Sequence, residues 1–391
     1  AGRYGLEEFV VMKKKLYLGA PVVERERNRK LPAGRALALV AALVLGQLLS
    51  ACSAQGRSRT VVLEPRESAQ APFEVVGVLQ PETEKEGVPL HYVGLLGESL
   101  VAVSGLEKKQ RIVLVGKSGY LRPYTEEMEI LPESVVCRGE HVLFEAKNGE
   151  DRVDIFLLNT QDESVRKIGS YIKGDLLAPI GWGDGDVSFL VQGISGLVLN
   201  RYCVRENTLE RIEQVDALRG RFAQERQNAT IKSVFFVGEK IVFELEIGAE
   251  SQIVLVDLQD TANTGINVVQ GSSAVSAGGK IYYLAEGGTL TSWDTSTGEK
   301  KEFRQSVSQF AVSSDGSRIA VVEKSESAYM LYVLEVQTGQ ALYVDIYQKL
   351  GEIYLSEGGS NLLVHSLQVE QTTQTAGYGG VYALYELGYE N

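Results

Sequence analysis

Hydrophobic positions in this chain fall into short runs that come in pairs, each pair joined and followed by a polar turn. Seven such pairs can be quoted: SLVAVSGLEKKQRIVLVGKSG (99–119), HVLFEAKNGEDRVDIFLLNTQD (141–162), DVSFLVQGISGLVLNRYCVREN (186–207), KIVFELEIGAESQIVLVDLQD (240–260), KIYYLAEGGTLTSWDTSTG (280–298), RIAVVEKSESAYMLYVLEVQTG (318–339) and NLLVHSLQVEQTTQTAGYGGVYALYELG (361–388). Val, Ile, Leu, Tyr and Phe fill the runs, and Asn, Asp, Gly and Thr fill the turns, which is the pattern of strands in hairpins. The ends of successive pairs lie 38 to 53 residues apart. A period of that size with several short strands per unit predicts an all-β fold, a β-propeller. One blade cannot cover its own apolar faces, whereas a closed ring covers both faces of each and leaves few free edges. A parallel α/β fold would need helical segments between strands, and seven similar units are too many for one β-sandwich. Seven blades are expected, with six and eight as alternative counts.

Two segments stand outside the repeat. Phe73-Glu74-Val75-Val76-Gly77-Val78-Leu79 reads as an extra strand, expected to pair with the last blade and satisfy backbone groups at an otherwise open seam. Residues 207–226, NTLERIEQVDALRGRFAQER, place Leu209, Ile212, Leu218 and Phe222 near helical spacing, with Asn207 or Thr208 available as a cap. A short helical insertion after the third blade is expected there, its apolar stripe packed on the propeller.

The N-terminus has a different pattern. Residues 36–49, ALALVAALVLGQLL, form an apolar run too short for a bilayer span but about the length of a signal-peptide core. Lys13, Lys14, Lys15, Arg25, Arg27, Arg29, Lys30 and Arg35 precede it, and Leu49-Ser50-Ala51-Cys52 follows it. This order resembles the signal sequence and lipobox of bacterial lipoproteins. The resemblance implies diacylglycerylation of the Cys52 thiol and cleavage before it, so that acyl chains such as palmitate hold the chain to a membrane. Met12, ahead of three lysines, is the expected initiator, although Glu24 and Glu26 depart from a usual basic leader. The expected organisation is a signal peptide over 1–51, a lipid-anchored flexible tether over 52–72, polar and with two prolines, and a β-propeller over 73–391.

Charge narrows the partners. The chain has 39 Lys and Arg against 51 Asp and Glu, and from Cys52 onward 30 against 47, a net charge of −17. Such a body is a poor electrostatic partner for nucleic acid or anionic lipid. Lipid, not charge, would hold it at a membrane.

Two repeats carry a further resemblance. Phe310-Ala311-Val312-Ser313-Ser314-Asp315-Gly316-Ser317-Arg318-Ile319-Ala320, followed by Leu331 to Gly339, is similar to the repeat of TolB-type, WD-like propellers. Gly279 to Tyr283, Gly288-Thr289-Leu290, Trp293-Asp294 and Thr297-Gly298-Glu299 resemble the repeat of BamB and the quinoprotein propellers. The implied role is binding of protein partners in the cell envelope. The Asp and Gly residues themselves are expected to be structural, because Gly permits positive φ and Asp bonds its own turn.

Catalytic motifs are missing. Gly116-Lys117-Ser118 lacks the P-loop glycine, since position 111 is Arg. No G-x-S-x-G elbow occurs, and Ser164-Val165-Arg166-Lys167 lies in a blade turn without companion motifs. His91, His141 and His365 stand apart in sequence and read as structural. Asp184-Gly185-Asp186 lacks the further ligands of a calcium loop. Cys137 and Cys203 fall in different blades, as small core residues or as a disulfide. No metal and no cofactor is expected, and no catalytic residue is assigned.

The expectation is therefore an extracytoplasmic lipoprotein anchored through Cys52, on the outer face of the cell membrane or on the outer membrane of a two-membrane cell. Its propeller is a non-catalytic scaffold for an envelope or secreted protein partner, with no nucleic acid bound. The alternative is an enzyme or a glycan- or peptide-binding protein with its site in the central funnel. Convergent Asp, Glu, His or Arg side chains in the funnel would favour the alternative; an apolar or aromatic patch on the rim would favour the scaffold.

Overall fold

The computed structural model describes residues 71–194, 196–212, 229–257, 266–369 and 378–389. The signal peptide, the lipobox residues Leu49, Ser50, Ala51 and Cys52, and the tether up to residue 70 lie outside the described residues.

Seven antiparallel sheets follow one another around a ring. Each of the seven hairpins read from the sequence forms the two middle strands of one blade, from Ser99–Leu106 with Lys109–Val115 in blade 1 to Asn361–Val369 with Tyr378–Tyr389 in blade 7. The inner strands are Val88–Leu96, Glu129–Arg138, Gly181–Trp182, Ala229–Val237, Ser272–Ala277, Val307–Val312 and Leu350–Leu355. The fold is a seven-bladed β-propeller.

The middle strands explain why the hydrophobic pattern is continuous and not alternating. Each blade packs on a neighbour through both faces, so odd and even side chains of one strand enter different interfaces. In His141–Lys147, Val142 and Phe144 join the core shared with blade 1, while Leu143 joins the core shared with blade 3. In Lys240–Ile247, Ile241 and Phe243 face blade 3 and Val242 faces blade 5. Among the described residues the core is seven apolar clusters, one at each seam of the ring.

The ring closes as expected. Phe73–Leu79 lies outermost in blade 7 and pairs antiparallel with its last strand, Phe73 opposite Tyr389 and Leu79 opposite Leu384, with a bulge between Val75 and Gly77. Phe73 is 2% exposed and sits in the core between blades 6 and 7. Arg318 of blade 6, itself buried, lies with its guanidinium carbon 4.1 Å from the Phe73 ring centre and donates from Nη1 to the Gly359 carbonyl at 2.9 Å.

The helical expectation is corrected at its start. Thr208–Ile212 is the outer strand of blade 3, with Cys203 opposite Thr208 and Leu199 opposite Ile212. Its neighbouring strand, Gly196–Cys203, needs a partner on its open edge, and that pairing overrides a local 3.6-residue spacing. Asn207, instead of capping a helix, takes φ 54° in the turn and accepts a bond from the Tyr202 hydroxyl. Residues 213–228 lie outside the described residues.

The Asp and Gly turns are structural in their geometry. Asp315 Oδ1 accepts from the Ser317 amide at 3.0 Å and from the Ser313 and Ser317 hydroxyls, with Gly316 following at φ 71°. Asp294 Oδ1 likewise accepts from the Ser296 and Thr297 amides; its bonds with Ser296 and Thr297 hold its carboxyl down at about 2.

Candidate functional site: the axial channel

The inner strands converge on the ring axis and enclose a cavity of about 420 Å³. Every blade contributes wall, through Val93, Val136, Trp182, Phe235, Val275, Phe310 and Tyr354 in ring order. Hydroxyls are few, and two of them are engaged: Ser233 Oγ donates to the Glu244 carboxylate at 3.2 Å and Ser276 Oγ to Asp184 at 3.4 Å. Val136 and Val275 show substantial apolar surface. The wall is apolar because inner strands must also supply the blade seams, so their alternate side chains are aliphatic or aromatic on both sides.

One lining side chain is charged. Arg138 ends the inner strand of blade 2 and reaches both blade 3 and blade 5. Its Nη1 donates to the Trp182 carbonyl at 2.9 Å; its Nη2 donates to the Ser276 carbonyl at 2.6 Å and to Asp184 Oδ1 at 3.3 Å. Arg138, Trp182 and Ser276 all lie at the C-terminal ends of their strands, so the guanidinium hangs across one mouth of the channel. Burial lowers the proton affinity of Arg138, and the Asp184 charge opposes that shift. Around it, burial pushes the Cys137 thiol up to about 12. The Tyr354 hydroxyl is pushed far up by burial and by the Glu352 carboxylate to which it donates. These groups are held uncharged and hydrogen-bonded or buried, and no two carboxylates converge among the lining residues.

The residues singled out in the sequence scatter. Asp184 and Asp186 part company, the first toward Arg138 and the second 2.6 Å from Arg201 Nη2. Lys117 is a seam contact between blades 1 and 7, with Nζ 2.8 Å from Glu386 and 3.4 Å from Glu98. Ser164 and Lys167 lie on the outer strand of blade 2, where Lys167 Nζ is 2.7 Å from Asp154. Cys137 and Cys203 are free thiols and not a disulfide. Two histidines that stand apart in sequence come together at the seam between blades 7 and 1. The His365 ring stacks on Tyr382 with centres 4.5 Å apart, and His91 Nδ1 lies 3.3 Å from the Tyr382 hydroxyl. Arg138 was not singled out from sequence, since its partners lie 44 to 138 residues away and no linear spacing marks them.

The rim offers a contrasting surface. The closing strand Phe73–Leu79 is an edge strand, and around it Val76, Val78 and Tyr389 are each more than half exposed.

This geometry defines the class as a seven-bladed propeller with an apolar axial channel. No protein-family model matches the chain, and no curated protein matches it. Among solved structures it is similar to the β-propeller domain of Cps50 (Swd1) from Myceliophteria thermophila, at 13% identity and TM-score 0.46, covering 80% of this chain and 99% of that one. It is also similar to an uncharacterized protein from Listeria monocytogenes, at 11% identity and TM-score 0.48, covering 74% and 92%. TolB from Acinetobacter baumannii matches at 12% identity and TM-score 0.38, covering 67% of each chain. At such identities the likeness is one of fold.

Proposed function

We propose that this protein is an extracytoplasmic lipoprotein, anchored by acylated Cys52, whose propeller is a non-catalytic binding scaffold for a protein partner in the cell envelope. The observation that carries the scaffold reading is the channel wall. A funnel enzyme needs at least two convergent polar groups to move protons or hold a cation, and this wall presents one charged side chain already bonded to three acceptors. The rim supports the same reading. An edge strand with exposed Val76, Val78 and Tyr389 beside it offers free backbone groups and apolar side chains together, the features an extended segment of a partner would use.

The anchor follows from the order of basic leader, apolar core and Leu49-Ser50-Ala51-Cys52. Metabolic labelling with a fatty-acid probe, followed by crosslinking on intact cells, tests both halves. Label and membrane retention should vanish in Cys52→Ser, and crosslinks placed beside Val78 should trap a protein that crosslinks placed on the opposite side of the ring do not. Label that survives Cys52→Ser overturns the anchor. Crosslinking that does not depend on position overturns the rim as a docking surface.

A further inference from the structure

The axial cavity has a chemistry of its own, independent of the anchor and of any partner on the rim. Its walls are aliphatic and aromatic, with Val136 and Val275 turning apolar surface into the lumen. At one mouth stands a single guanidinium, and of its five N–H groups three donate to Trp182, Ser276 and Asp184. Nε–H and one Nη1–H have no partner among the described residues. Among the described residues Asp184 is the only carboxylate on this guanidinium, at 3.3 Å, and it is shared with Ser276 Oγ. Burial weakens Arg138 as a cation more than Asp184 restores it, so a further negative group at the open donors would be stabilised.

We propose that the cavity binds an aliphatic monocarboxylate, its head on the open donors of Arg138 and its tail along Val93, Val136, Val275 and Phe310. The volume, about 420 Å³, lies within the range of small-ligand pockets. A fatty-acid-like molecule buries one polar head and otherwise only CH₂ groups, which gain by leaving water. A peptide threaded into the same lumen would bring an N–H and a C=O per residue against a wall whose Ser233 and Ser276 hydroxyls are already engaged. The apolar wall thus favours the acyl carboxylate over a peptide terminus.

The test is titration calorimetry of the full chain with decanoate, with decanol, and with a short apolar peptide bearing a free C-terminus. Decanoate should bind saturably at one site per chain. Decanol, with the same tail and no charge, should bind roughly tenfold or more weakly, the expected effect of losing a charge-assisted hydrogen bond. Arg138→Gln should weaken decanoate by a similar factor and leave decanol unchanged, and Val275→Trp, which fills the lumen, should remove both. A melting curve on each variant separates lost binding from lost fold, and Arg138→Lys, which keeps the charge, should bind better than Arg138→Gln. Equal affinity for acid and alcohol, binding untouched by Val275→Trp, no saturable binding of decanoate, or tighter binding of the peptide would each overturn the proposal.

Discussion

Replacing Phe73 by alanine should cripple the whole ring and not merely its first strand. Phe73 is 2% exposed, packed with Ala320, Val333 and Leu387 in the seam between blades 6 and 7, and its ring faces the Arg318 guanidinium at 4.1 Å. Truncating a buried Phe costs about 3–5 kcal/mol. The upper half of that range is expected here, because the ring also covers a buried cation, a contact worth up to ~2 kcal/mol. Arg318 is 5% exposed and keeps a carbonyl bond to Gly359, so after the substitution its charge stays buried with less compensation. The matched control is Val78→Ala on the same strand, 54% exposed, for which a change within about 0.5 kcal/mol is expected. Thermal and urea unfolding followed by near-ultraviolet circular dichroism should show one transition in each protein. For a domain of this size roughly 2 °C accompanies each kcal/mol, so the Phe73→Ala midpoint should fall by on the order of 8 °C. Deleting 73–79 should be worse, and deleting 53–70 should leave the midpoint unchanged. Equal midpoints for Phe73→Ala and Val78→Ala would refute the reasoning. So would a small early transition followed by melting at the wild-type temperature, because it would show that closure is local and not cooperative.

Other outcomes follow from single contacts. Burial, helped at His365 by the neighbouring His91, lowers the proton affinity of His365, and burial does the same at His141, both below the ordinary 6.5. The unfolded chain then binds more protons, so no penalty exists well above 6.5, stability declines as pH drops below it, and the decline levels off below the folded-state values. Melting temperatures between pH 7.5 and 5 should show this slope, and His365→Asn should flatten it; an identical slope in the variant would remove His365 from the account. Gly181→Ala should destabilise the seam between blades 3 and 4 severely, because its Cβ would come within 1.8 Å of the Val234 carbonyl oxygen, and a folded variant with unchanged melting would contradict that close approach. The Cys137 thiol, partly exposed at the channel wall but raised to about 12 by its apolar surroundings, should react with a disulfide reagent at pH 8 far more slowly than after unfolding in urea, whereas equally fast native-state reaction would show that those surroundings do not hold the proton.

What the sequence made legible was the part of each blade buried on both faces. Strands such as Val142-Leu143-Phe144 must be apolar at consecutive positions, and that continuity stands out against polar turns. The closing strand was legible for a different reason, as an apolar run with no partner of its own in the repeat, although one of its faces is exposed. Inner and outer strands were harder to read. Gly181–Trp182 is two residues long and stays in place because its glycine lets the blade 4 backbone approach, not because of an apolar pattern. Thr208–Ile212 carries one buried side chain, Ile212, and its spacing to Leu209 imitates a helix turn. The channel was not legible at all. Arg138 is an ordinary strand-end arginine in the sequence, and its role arises from carbonyls of blades 3 and 5 that the ring brings to it.

The way the ring is closed also determines how it meets mechanical tension. Chain arriving from the N-terminal side enters the propeller at the closing strand, so a pull from that direction is felt first by the end pair Phe73–Tyr389 and the Arg318 stack behind it. Six cross-strand pairings, from Phe73–Tyr389 to Leu79–Leu384, then stand between that pull and the opening of the circle. The other six blades are each one continuous stretch of chain, and apart from the Arg318 contact from blade 6 they are not joined to that pull through the closing strand's pairing. Stretching the molecule from its N-terminus and compressing it from the rim are therefore different experiments on the same ring, and only the first addresses the strand that makes it a circle.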